Sequence, residues 1–440
     1  MHNTKVNVTG RSVAGLTAPR LDVVRWGFVG IGHRGLNTLT ETLLLEGAEV
    51  TALFDPDPAA VARAAAAVAE AGRARPACYG AGREDLRAML DRPDVDAVII
   101  CTPWRSRVPA AVAAMRAGKH AFLEVPAAIT LEECWQLVDT AEETRRHCMM
   151  LENCCYGRDE LMVLNLCRQG LFGELLHGEG SYLHDLRSWM ADPRRGLHRW
   201  RTWEHTVRNG NLYPTHGFGP IAQYMDINRG DRLDYLVSVS SPSRGLTDYA
   251  ERVLAPDHPQ RTMRFICGDM NTSLIQTAKG RSIVVKHDIV NPQPYSRTSL
   301  ILGTRGIFEG FPSRISIEGR GEPARPDPEQ VDHGHWDMDM EKWYAEFDHP
   351  LWTKCGRVAA AIDGRTGGMG HGGMDFVMKW RIMQCLREGL PLDQDVYDAA
   401  TWSAIGPLSE QSVARRGEPV EVPDFTRGGW RTTPPLGIVS

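Results

Sequence analysis

Gly30, Gly32 and Gly35 follow the apolar run VVRWGFV and open the helix-forming stretch HRGLNTL. Few architectures need three glycines at that spacing between a strand and a helix. The first permits a tight turn, the second lets backbone approach a pyrophosphate, and the third lets the helix pack on the strand. The free N–H groups and the dipole of the helix N-terminus then favour the phosphates. Asp55 ends the next apolar run, ALFDPD, 20 residues after Gly35. A carboxylate there bonds the adenosine ribose hydroxyls and repels a 2′-phosphate, which predicts NAD rather than NADP as the cofactor.

The surrounding chain keeps the same rhythm. Strand-like runs at 23–29, 50–54, 97–101, 121–123 and 149–151 alternate with helical stretches at 58–71, 109–117 and 131–146. Such alternation predicts an α/β, parallel, doubly wound sheet, a Rossmann dinucleotide-binding domain over residues 22–152 behind an extension of residues 1–21. Ligands bind such sheets at the carboxyl ends of the strands, where CTPWRSR (101–107) and LEVPAA (123–128) fall. Trp104 is placed there to stack near the nicotinamide or to pack.

After Asn153 the texture changes. One helix near 160–169 leads into strands at 179–184, 235–241, 272–277, 282–288, 299–303, 306–311 and 314–318, with Ala278-Lys279-Gly280 as a hairpin turn. Helices return at 374–388 and 396–414. Residues 320–335 read as an exposed loop and the tail after Pro419 as irregular. The expectation for residues 153–440 is a substrate-binding and oligomerisation α+β domain on a mostly antiparallel open sheet.

Composition removes several function classes. Lys+Arg total 50 against Asp+Glu 55, a net charge of -5, so the chain gains no counterion release from nucleic acid. No apolar run approaches a membrane span. The first twenty residues lack the apolar core of a secretory signal, and a cytoplasmic protein is expected. Ten cysteines without a C-x-x-C pair predict reduced, mostly buried thiols and no metal site. His333 and His335 could form a metal pair, but a polar loop accounts for them.

The segments GIGHRG, ALFDPD, CTPW and AGKHAFLEVPAA, with the later sheet, resemble the glucose–fructose oxidoreductase/inositol dehydrogenase superfamily. Dehydrogenases of that group carry Glu-Lys-Pro where this chain has Glu124-Val125-Pro126. The longer segments NGNLYPTHGFGP, GDMNTSLIQTAKGR, GHGGMDF and PLDQDVYDAATWSAIGPLSEQSVA resemble glycoside hydrolase family 109, the NAD-dependent α-N-acetylgalactosaminidases, in which Glu-Val-Pro is the normal form. The resemblance runs from about residue 24 to residue 430. It places NAD contacts at His33, Arg34, Asp55, Trp104, Arg105, Ser106, Arg107, Glu124, Val125 and Asn153, beside the loop glycines. It places the sugar at Tyr182, Arg201, Tyr213, Pro214, Thr215, His216 and Tyr295. Arg107 departs from the family, which closes that segment with histidine. The twin-arginine export signal of many relatives is absent.

Direct glycoside hydrolysis uses two carboxylates, and 55 acidic residues single out none. The resemblance implies another route, with transient oxidation at C3 of a terminal N-acetylgalactosaminide, elimination across C1–C2, addition of water and re-reduction. His216 suits the hydroxyl proton. Tyr182 suits the C2 base if Arg201 lowers its pKa, and the two roles are interchangeable at this level. Asp375 either reaches the site or merely starts a helix. The alternative activity is an NAD-dependent sugar dehydrogenase or epimerase, and the expected assembly is a homo-oligomer, dimer or tetramer.

Overall fold

A computed structural model describes residues 11–80, 82–193, 197–320, 335–365 and 371–438. The first sheet contains β1 (Val24–Val29), β2 (Ala48–Phe54), β3 (Ala77–Tyr79), β4 (Ala97–Ile100), β5 (His120–Leu123) and β6 (Cys148–Met150). They are all parallel, in the order β3-β2-β1-β4-β5-β6. That is the doubly wound dinucleotide-binding order. Its strands read as unbroken apolar runs because helices cover both faces. β3 is a three-residue edge strand whose sequence carried no periodicity to announce it.

The second sheet is built from β7 (Leu175–Leu183), β8 (Leu233–Ser240), β9 (Asn271–Thr277), β10 (Ser282–Asp288), β11 (Leu300–Gly303), β12 (Gly306–Glu309), β13 (Arg314–Ile317) and β14 (Val420–Glu421). The order is β13-β12-β11-β7-β10-β9-β8-β14, and only β7 and β10 pair in parallel. The mostly antiparallel α+β expectation therefore holds. One face is covered by the helices Thr215–Tyr224 and Val396–Ala414, the latter capped by the side chain of Asp395. The other face leaves Tyr235, Val239 and Leu274 exposed.

Several local readings need correction. β7 starts at Leu175, four residues before the expected 179, because Gly178 and Gly180 mask the strand pattern. The helix Thr215–Tyr224 was not expected, since two glycines and Pro220 lower its intrinsic propensity. The tail supplies β14 instead of remaining wholly irregular. The helices Met340–Phe347 and Pro350–Arg365 also went unread. Of the expected loop 320–335, residues 321–334, including His333, lie outside the described residues, and His335 is exposed.

The helix Met374–Glu388 belongs to the second region in sequence but lies against the first sheet. Its Lys379 and Glu41 form a buried ion pair, and the extension joins the same contact through Leu21 N–H to the Leu386 carbonyl. All ten cysteines are free, and only Cys78, Cys101 and Cys167 are not buried. Among the described residues no helix is long and apolar enough to cross a membrane.

Candidate active site

The turn after β1 shows why Gly30 and Gly35 are glycines. Gly30 has φ +86°, the left-handed region, and a Cβ there would lie 2.9 Å from Cys101 backbone. A Cβ on Gly35 would lie 2.1 Å from the Gly30 carbonyl oxygen. At Gly32 a Cβ would meet nothing within 4 Å. Open space thus stands before the N-terminus of the helix His33–Thr42, where an anion is favoured. Asp55 ties this turn to β2: Oδ2 accepts from Ile31 N–H at 2.6 Å and Oδ1 from Asp57 N–H at 2.8 Å. Each oxygen keeps a lone pair for a ribose hydroxyl, so the residues fit the dinucleotide.

The remaining expected cofactor contacts divide in the structure. His33 is exposed at the helix start. Arg34 donates from Nε to Glu124 at 2.6 Å and from its two terminal nitrogens to Asp375 at 2.7 and 3.0 Å. Asn153 donates to the same carboxylate at 2.7 Å. Val125 is buried beside them. Arg105 is turned outward, paired with Glu204 at 2.9 Å, and the Ser106 hydroxyl donates to the Pro103 carbonyl. Arg107 is buried and donates to the carbonyls of Thr102, Glu124 and Pro126, bracing two strand-end loops against each other. Burial pushes its pKa down, and the Glu124 carboxylate opposes that shift.

Trp104 packs inside the protein. It is buried edge-on to Trp200 at 4.9 Å and tilted against Tyr213 at 6.2 Å. It therefore walls the second half of the site. Arg201 sits inside that wall, with its guanidinium carbon 4.8 Å from the Tyr213 ring centre, 5.1 Å from Trp200 and 5.5 Å from Trp104. Among the described residues no carboxylate pairs with it.

Tyr182 ends β7. Its ring centre lies 4.9 Å from Tyr213, 5.2 Å from His216 and 6.1 Å from Tyr295. Arg201 lowers the Tyr182 phenol, but burial raises it by more, so its pKa stands above the ordinary value. Tyr213 is pushed well up by the same burial, and the Tyr295 hydroxyl, also shifted up, accepts from Arg297 at 3.0 Å. Pro214 and the buried Thr215 lead into the helix whose first turn carries His216.

Sequence reasoning missed the partner of that histidine. Glu152 is 0% exposed, and its Oε1 stands 2.7 Å from His216 Nδ1. Burial would raise the Glu152 carboxyl, but His216 outweighs it and holds the carboxyl below its ordinary value. A carboxylate on Nδ1 fixes the proton there and leaves Nε2 as the base. Position was the available signal, since Glu152 follows β6 directly at a strand carboxyl end. Cys154 brings a third ligating atom within 4.8 Å of that pair. The 2.7 Å contact is a direct hydrogen bond, closer than the ~3.3 Å at which a tetrahedral zinc ion holds two ligands apart.

The two elements bearing Tyr182 and His216 touch backbone to backbone. A Cβ on Gly180 would lie 2.1 Å from the Gly217 carbonyl oxygen, and one on Gly217 would lie 2.2 Å from Ser181 N. The spacing between strand and helix is set there by peptide groups alone.

Residues 24–152 match the oxidoreductase family with an NAD-binding Rossmann fold, and residues 156–432 match the C-terminal domain of glycosyl hydrolase 109. The chain belongs to glycosyl hydrolase family 109. A family 109 protein of Shewanella amazonensis is 55% identical over 430 residues, covering 98% of this chain and 91% of its own. A second, from Shewanella sp. strain ANA-3, is 55% identical over 436 residues, covering 99% and 92%. Among solved structures, levoglucosan dehydrogenase with NADH and levoglucosan shares the fold at a TM-score of 0.65 and 20% identity, over 91% of this chain and 99% of that one. An inositol dehydrogenase homologue from Azotobacter vinelandii, with NADH and myo-inositol, gives 0.62 and 18%, over 92% and 100%. This member of family 109 is thus an enzyme with an NAD-binding domain joined to a mixed-sheet domain.

Proposed function

We propose that the chain hydrolyses terminal N-acetylgalactosaminides, α-linked in the first instance, using a retained and recycled NAD. The carrying observation is the His216–Glu152 pair, placed against Tyr182 in a chain that also holds a dinucleotide turn. NAD, when bound, supplies a hydride acceptor and donor at C3 of the sugar, which makes the C2 hydrogen removable.

His216 is one proton acceptor. Its Nδ1 is held by Glu152, and Nε2 takes and returns the proton. Two protons leave the sugar and each needs an acceptor: in the exchanged assignment His216 Nε2 serves at C2 and the Tyr182 oxygen takes the C3 hydroxyl proton, with Arg201 opposing the burial that raises the phenol. Arg201, lacking a carboxylate, is free to bond the acetamido carbonyl, and Tyr213 and Tyr295 orient hydroxyls. Lys379 is paired with the buried Glu41, and Val125 stands at the position where the dehydrogenases carry their lysine. The uncovered face of β8 and β9, with Tyr235, Val239 and Leu274, fits a second copy of the chain, and a homo-oligomer is part of this reading.

The test is proton NMR in D2O with the purified protein, no added cofactor and an aryl α-N-acetylgalactosaminide. Sugar release with deuterium at C2 is expected. Stoichiometric reduced cofactor without release would overturn hydrolysis in favour of a dehydrogenase.

A further inference from the structure

Asp375 has no part in the chemistry above, yet it is the hub of the cofactor side. It opens the helix Met374–Glu388, is fully buried, and accepts from four directions. Two bonds come from the Arg34 fork, one from Asn153 Nδ2 at 2.7 Å, and one from His371 Nδ1 at 2.9 Å. Arg34 in turn holds Glu124. Arg34, Glu124 and Asn153 all stand in the first region or at its border, whereas Asp375 comes from more than 200 residues further along the chain.

We propose that Asp375 is a positioning residue of the cofactor site, holding Arg34 and Asn153 in the orientation that receives NAD and so binding the second region into the cofactor lock. The inference rests on the reading that Arg34 and Asn153 face the cofactor. A bidentate fork fixes the plane of a guanidinium as well as its distance. Three of the five Arg34 N–H bonds are committed in this way, and the other two are aimed by that commitment. Asn153 is set by the same oxygen. Asp375 accepts only from the amide nitrogen, so the amide oxygen must face the other way, where the Cys154 thiol meets it at 3.6 Å.

Coupling of this kind is reciprocal. If the second region sharpens the hold on NAD, NAD must tighten the seat of the helix Met374–Glu388. Release then requires that helix to loosen, which suits a cofactor that stays through many turnovers.

The experiment uses full-length protein stripped of NAD. Affinity is read by titrating tryptophan fluorescence, and the seat of the helix by amide hydrogen exchange over residues 371–388, each with and without NAD. Wild type should show slower exchange when NAD is added. Asp375→Asn should raise Kd about 10–100-fold, the usual cost of removing a group that orients a ligand-binding side chain, and should abolish the added protection. Arg34→Lys should also raise Kd, and the double variant should lose less than the product of the two. The neutral pair Glu41→Gln/Lys379→Met replaces a buried ion pair of the same helix without touching the Asp375 contacts, and should leave Kd within about twofold of wild type. A similar rise in that control would show general packing at work and overturn the proposal. So would an unchanged Kd in Asp375→Asn beside a weakened Arg34→Lys, which leaves the reading of Arg34 intact. An unchanged Kd in both would instead remove Arg34 from the cofactor site. If Asp375→Asn does not fold, Asp375→Glu displaces the carboxylate by one methylene and should raise Kd in the same direction. An unchanged Kd there would overturn the proposal as well.

Discussion

The two halves of the site are made from different materials. The half proposed for the cofactor is framed by backbone, a glycine turn and a helix N-terminus between Gly30 and Asp55, and completed by the Arg34, Glu124, Asn153 and Asp375 network. The half proposed for the sugar is mostly side chain, with Tyr182, Arg201, Tyr213, His216 and Tyr295 drawn from separate segments and Glu152 reaching in from the first sheet. A backbone site tolerates no Cβ where the chain closes on itself. A side-chain site tolerates substitution of any one group with its neighbours left standing. Damage should therefore stay on its own side of the molecule.

The largest separation should come from His216→Asn. Removing a general base costs ~10²–10⁴ in rate, and NAD content should be unchanged. Turnover within tenfold of wild type would remove His216 from the chemistry. Gly217→Ala should cost about 10²-fold in kcat through displacement of the adjacent histidine, again with NAD retained. Equal loss of NAD would show that the halves are not separable. On the other side, Gly32→Val adds bulk to open space, so the melting temperature of the NAD-free protein should hold while NAD affinity falls by about 1–3 kcal/mol. Unaltered affinity would place the phosphates elsewhere.

A further effect is one in which the halves should not differ. Burial holds His120 down to about 3, His147 to about 4 and His205 to about 3. All three are neutral above pH 6.5 in either state. Below it the unfolded chain takes up protons that the folded one refuses, so stability is full above pH 6.5 and falls as pH drops toward 4. Each histidine contributes at most ~1.4 kcal/mol per pH unit. Thermal unfolding of the NAD-free protein between pH 7.5 and 5 should show the decline, and a flat profile would contradict this account.

The same contrast explains what could be read in advance. Gly30, Gly32, Gly35 and Asp55 were legible because a turn of that shape admits few residue types at few spacings. The strand rhythm of the first region was legible for a related reason, since parallel strands buried on both faces leave unbroken apolar runs. Asp375 was visible only as one option beside a helix start, because its partner Arg34 lies 341 residues away. Glu152 was one carboxylate among 55, and nothing local tied it to His216. The helix Thr215–Tyr224 hid behind its own glycines, which serve packing against β7 and work against propensity. Long resemblance, not spacing, singled out Tyr182, Arg201 and Tyr295 as candidates.

The crossing of Gly180 over Gly217 has an evolutionary consequence. Tyr182 and His216 ride on two elements welded peptide to peptide, so no drift in side-chain size at the weld can move one relative to the other. A lineage that shifts to another sugar must do so from the rim, through Arg201 or Tyr295, while the proton-handling centre stays the same width. Diversity in substrate among relatives should therefore map to the walls of the pocket and leave its hinge-less middle unchanged.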